Sequence, residues 1–184
     1  MTIFGGPFAP GNMDQPQWEE VESKLWTDGV IAGVRNAFAT TTTSGLGLSV
    51  NTGDAVLDGF RFYSDAATAL TCATADPSLP RIDLVVLRLD ESAHTSTIAI
   101  KTGTPAASPV APTATKTVGG TYELGIYQAR VNAGATSITS LTDVRTWTRA
   151  AIAGPNNAVS GFTVSAGNGA PVSLAANEIY VQLS

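Results

Sequence analysis

Residues 81–90, Arg-Ile-Asp-Leu-Val-Val-Leu-Arg-Leu-Asp, set four charges inside one of the most apolar runs of the chain. In an extended backbone Ile82, Leu84, Val86 and Arg88 share one face and Arg81, Asp83, Val85, Leu87 and Leu89 the other. Both faces are apolar at the centre. A strand of that kind lies in the middle of a sheet or at a subunit contact, because a solvated sheet face would alternate with polar residues. The charges are expected at its ends, Arg81 near Asp83 and Arg88 near Asp90, or paired with Arg130, Asp143 and Arg145.

Outward from this stretch the signals are those of antiparallel β structure. Residues 96–104 (STIAIKTGT) alternate Ile98 and Ile100 with Thr97, Ala99 and Lys101 and supply a hairpin partner. Upstream, 46–50 (LGLSV) and 54–57 (DAVL) are joined by Asn51-Thr52-Gly53, and 54–57 and 60–64 (FRFYS) by Asp58-Gly59, the stronger hairpin signal. Phe60 and Phe62 then share one face, Arg61 and Tyr63 the other. Downstream, 122–131 and 136–147 complete an antiparallel sandwich or barrel-like domain. Strands do not alternate with long helices, which excludes a doubly wound α/β fold.

One helix is expected ahead of this domain. Asp14 is a good N-cap, Gln17 completes a capping box, and Pro16 is tolerated in the first turn. Trp18, Val21, Leu25 and Trp26 recur at helical spacing while Glu19, Glu20 and Glu22 face water. A lone helix of about three turns is marginal in water, so it must dock on the β domain or on another subunit. The preceding arm, with Phe4 and Phe8, also needs a neighbour to cover it. The expected organisation is an arm and anchoring helix over 1–26, a β module over 27–149, and a linker with a short strand-rich segment over 150–184, too small to bury its own core.

The chemistry this composition permits is narrow. Ten Lys and Arg against 15 Asp and Glu give a net charge of −5, the wrong sign for a chain living on phosphate contacts, so no nucleic acid is expected. The single cysteine, Cys72, rules out an intrachain disulfide and is expected as a small buried hydrophobe; the single histidine, His94, is expected in an exposed turn. There is no apolar run of membrane-spanning length and no secretory leader pattern, so the product is expected to be soluble and made in the cytoplasm. No acid/base pair, nucleophile with its base, or metal-ligand spacing is evident, so neither a cofactor nor an enzymatic activity is expected. Residues 103–114, with three prolines, suit a stiff connection. Exposed aromatics such as Tyr63, Trp147 or Tyr180 would suit stacking on a sugar ring, but they do not cluster on one face.

The segments 45–65, 79–113 and 122–147, above all PRIDLVVLRLD with KTGTPAASPVAP, resemble the N-terminal module of tailed-bacteriophage virion proteins of Gram-positive hosts, of baseplate, tail-fibre or minor tail type. The resemblance spans about residues 27–147 and implies a non-enzymatic, β-rich structural module, frequently trimeric, that anchors appendages to a virion. Asp83, Arg88, Asp143 and Arg145 match the family pattern and are carried over as structural residues. Leu84 stands where relatives often have an arginine, and the long fibre shaft or carbohydrate-binding head that commonly follows in the family is not expected here, which argues against host-receptor binding. The expected partners are further copies of the chain, as a homotrimer, and other virion proteins of the tail, baseplate or capsid, with a host-surface glycan as an additional candidate. Capsid decoration or a short head fibre is the alternative placement.

Overall fold

The computed structural model describes residues 23–148. Phe4, Phe8, Trp18, Val21, most of the expected helix, Tyr180 and the segment 150–184 lie outside the described residues. Residues Ser23 to Leu25 are helical, and the strands that follow pair antiparallel in a single compact unit. Among the described residues ten strands form three sheets. The largest runs β10 (Ser140–Asp143), β9 (Thr121–Val131), β7 (Arg81–Asp90), β8 (Thr95–Lys101). A second runs β1 (Gly29–Val30), β4 (Gly53–Leu57), β5 (Phe60–Ser64), and a third β2 (Thr40–Thr42), β3 (Gly47–Val50), β6 (Thr68–Thr71).

The opening stretch is β7, with β9 and β8 on its two sides. Its inward face sets Val85 and Leu87 into a core shared by all three sheets, with Val30, Phe38, Leu48, Val50, Leu57, Phe62 and Ile126. The arrangement is sandwich-like. Each fully buried aliphatic of this set contributes roughly 2 kcal/mol. Leu84 and Val86 are buried on the opposite face. Glu123 N–H donates to the Thr115 carbonyl, and Thr115 N–H donates to the Glu123 side chain. Residues 115–117 thus run along the edge of β9, where Lys116 and Tyr122 form an antiparallel bridge.

Asp58-Gly59 makes the tight hairpin between β4 and β5, both residues with positive φ (48° and 79°), as a type I′ turn requires. Asn51-Thr52 does something different. It passes the chain from the β2-β3-β6 sheet to the β1-β4-β5 sheet, and β3 and β4 do not pair. The physical reason is that Thr52 O accepts from Asn36 N–H and Phe38 N–H, so a neighbouring loop takes the bonds a hairpin would have used.

β9 carries one residue more than β7 at the junction where Val85 pairs with Tyr127 and Val86 with Gly125. Ile126 is the extra residue. The bulge reverses the inward parity of β9, from Tyr122 and Leu124 before it to Tyr127, Ala129 and Val131 after it. Cys72 is buried in the core and His94 sits exposed in the β7–β8 turn.

Candidate functional site

Four charged residues are buried among the described residues, and every one is ion-paired. Arg81 and Asp83 pair at 2.9 Å, and Asp83 also accepts from Gly103 N–H. The Arg81 guanidinium donates onward to the carbonyls of Thr74 and Ala73, which ties β7 to the segment after β6. Burial pushes the neighbouring Cys72 thiol up to about 12, and the charge of Asp83 and a hydrogen bond to it act in the same direction, so a reactive thiolate is disfavoured.

The expected pairing at the other end of β7 is different. Arg88 does not bridge to Asp90; it bridges to Glu123, directly opposite on β9, at 2.7 Å. Lys101 from β8 closes on the other Glu123 oxygen at 2.7 Å. Burial alone would raise the Glu123 carboxyl, which is 1% exposed, but donors from Lys101, Thr115 N–H and Arg88 hold it down at about 2. Asp90 instead accepts from Ser92 Oγ and Ala93 N–H and shapes the turn. An acceptor two or three residues ahead in a tight turn wins over an arginine that has a better partner across the sheet. Asp143 and Arg145 bridge each other, and Arg145 donates to the Ala37 carbonyl at 2.7 Å while its guanidinium lies over Tyr127 and Trp147. Arg130 bonds Asn132 rather than an acid of β7.

At the turn of the β4–β5 hairpin, Asp28 accepts from Asp58 N–H, Lys116 Nζ and the Tyr122 hydroxyl. Burial works against its ionisation, and these donors overcome it and lower the carboxyl. The Asp58 carboxyl is raised, by burial and by the Asp28 charge, and hydrogen-bonds that of Glu91.

The surface feature with room for a partner lies on the outer face of β1, β4 and β5. An open groove of about 430 Å³ is lined by Trp26, Ile31, Val56, Gly59, Arg61 and Thr148. Val56 and Arg61 are register partners and so share this face. Two residues along β4 from Val56, buried Asp54 holds two arginines, Arg61 and Arg35, and both guanidiniums lie over the ring of exposed Tyr63, at 5.1 and 5.8 Å from its centroid. Burial would raise Asp54, and the hydrogen bonds from Arg61 and Arg35 lower it instead.

Both ends of the described chain meet at this groove. Val30 N–H donates to the Thr146 carbonyl, Thr148 N–H to the Val30 carbonyl, and Thr148 Oγ1 to the Thr27 carbonyl. Leu25 is 37% and Trp26 43% exposed beside it. Of the residues expected to anchor or assemble, these two are described, and both are on the surface. The groove itself was not legible in sequence, because Ile31 follows β1 while Val56 and Arg61 belong to β4 and β5, whose register only the folded sheet defines. Glu123 and Asp54 each follow one position from an aromatic or glycine in ordinary strand patterns, and nothing in that spacing marks them as buried.

Among the described residues no group of His, Cys, Asp and Glu is arranged to hold a metal ion, and no helix is long and apolar enough to cross a membrane. Comparison of the chain with protein-family models, with curated proteins and with solved structures finds no match.

Proposed function

We propose that this chain is a non-enzymatic structural protein of a tailed-bacteriophage virion, assembling as a homotrimer on the tail, baseplate or fibre base. The observation that carries this reading is the meeting of both module ends at one apolar groove edged by exposed Leu25 and Trp26. A module mounted through one face, with its arm and its C-terminal segment both starting there, suits an appendage seated on a larger particle. The resemblance of residues 27–147 to phage N-terminal modules supports the virion setting. The engagement of Asp54, Asp83, Glu123 and Asp143 by arginine or lysine supports a structural rather than catalytic use of the acids.

Deleting residues 1–26 should abolish incorporation into particles while the β module keeps its circular-dichroism signature; undiminished incorporation would sink the anchoring reading. Antibody labelling of intact particles separates the placements, with a handful of copies at the tail tip expected and a shell-wide distribution indicating the capsid-decoration alternative. Glycan binding has weaker support, because guanidiniums already lie over the Tyr63 and Trp147 rings where a sugar would stack.

A further inference from the structure

We infer that the groove over β1, β4 and β5 is a docking site for an acidic peptide segment of a different protein, which lays an aromatic side chain beside Trp26 and sets a nearby carboxylate on Arg61. The inference rests on the mounting of the module proposed above and names the chemistry of the partner at that face.

The groove joins two surfaces of different character. Ile31, Val56 and Gly59 make its apolar part, with the half-exposed Trp26 indole on the wall. A cavity of about 150 Å³ admits a benzene-sized ring, so an open groove of about 430 Å³ takes one large side chain with the backbone that carries it. An indole favours another ring laid against its face or edge.

Arg61 forms the other surface, and its charge is not balanced. Asp54 is one carboxylate between two guanidiniums, Arg35 on Oδ2 and Arg61 on Oδ1, and both lie over the neutral Tyr63 ring. The cluster therefore keeps one positive charge in excess, in a chain whose net charge is −5. The acids at the turn end of this sheet are engaged elsewhere, Asp28 by Lys116 and Tyr122 and Asp58 by Glu91. Asp54 takes Nε and Nη2 of Arg61 and so fixes the guanidinium, while the side chain stays 63% exposed. A guanidinium already held in place loses little freedom on meeting a second carboxylate.

This excess charge selects the partner. A purely apolar ligand would strip water from Arg61 and return no partner for it, which costs free energy, and a basic segment would be repelled. A sugar would find few partners for its hydroxyls, because the lining carries Thr148, Arg61 and the indole N–H as its polar groups. An extended peptide with an acid two positions from an aromatic meets both surfaces, since those side chains share one face about 7 Å apart.

The test titrates the full-length chain with three capped peptides, Trp-Gly-Glu, Trp-Gly-Gln and Ala-Gly-Glu, and follows backbone amides by NMR. Trp-Gly-Glu should shift Ile31, Val56, Gly59 and Arg61, and the other two peptides should bind roughly tenfold more weakly. Arg61→Gln should weaken Trp-Gly-Glu by the same factor and leave Trp-Gly-Gln unchanged, while Arg61→Lys should recover part of the loss. Ile31→Glu, which puts a carboxylate of the chain itself beside Arg61, should block the acidic peptide without touching the Asp54 pairs. Equal binding of the Glu and Gln peptides, or shifts centred on another face, overturns the inference. So does the absence of shifts at millimolar peptide, or saturation of the same shifts by raising the concentration of the chain alone, which makes a second copy the occupant. A groove that binds no peptide leaves the mounting reading to the deletion of residues 1–26, whereas undiminished incorporation of that deletion with peptide binding intact removes the mounting reading and keeps the site.

Discussion

Arg88 and Glu123 face each other across the β7–β9 pair as register partners, with Nη2 and Oε1 2.7 Å apart. Lys101, on the opposite neighbour of β7, reaches the same carboxylate. One buried acid therefore joins three adjacent strands and Thr115 at the edge of β9.

Its removal should be costly and should depend on pH. Glu123 is held down at about 2, below its ordinary value of 4.5, so its contribution is complete above about pH 4.5 and disappears as pH falls towards 2. Glu123→Gln should lower stability at pH 7 by roughly 2–3 kcal/mol in urea titrations. The deficit should shrink steadily on acidification. A deficit that stays constant down to pH 2 would show that ionisation of this group is not the source.

Asp58 should behave in the opposite sense. Its carboxyl is raised above the ordinary 3.8, so the ionised form is disfavoured in the folded state, and the stability linked to it is present in acid and lost as pH rises through the folded value. Asp58→Asn should raise the melting temperature at pH 7 and give no advantage below about pH 3. Asn accepts the positive φ at this turn position, so the comparison is free of a backbone penalty.

Cys72 should be inert in the folded protein. With the thiol pushed up to about 12, the thiolate at pH 8 is on the order of one part in ten thousand, and the sulfur is buried as well. Labelling by a disulfide reagent should track global unfolding across a denaturant series. Stoichiometric labelling within seconds in buffer would contradict the burial.

Gly53 should not tolerate a side chain. A Cβ there would lie 2.5 Å from Phe38 Cδ2 and from Phe38 N, and Phe38 is fully buried at φ 56° with its ring edge-on to Phe62. Gly53→Ala should cost roughly 2–3 kcal/mol by chemical denaturation. Gly119→Ala, where the space is open and only the positive φ of 72° is strained, should cost about 1 kcal/mol.

Much of the fold was legible because its signals are local. The two-faced apolar centre of residues 81–90 marked a central strand, and Asp58-Gly59 marked a hairpin, since each depends on backbone geometry within a few residues. The bulge at Ile126 was not legible, because an extra residue is recognised only against the partner strand, and it is this bulge that changes which side chains of β9 face the core. The pairing of Arg88 with Glu123 rather than Asp90, the two arginines on Asp54, and the groove between Trp26 and Arg61 were hidden for the same reason.

Sequence by itself determined the β class, the central strand, the burial of Cys72 and the exposed turn at His94, all consequences of local periodicity and turn chemistry. Tertiary structure alone decided which charges meet, that Thr115 lies along β9, and that Val30 and Thr148 lie side by side next to one groove. Those outcomes depend on register between strands far apart in sequence, and a shift of one residue would send every side chain to the other face.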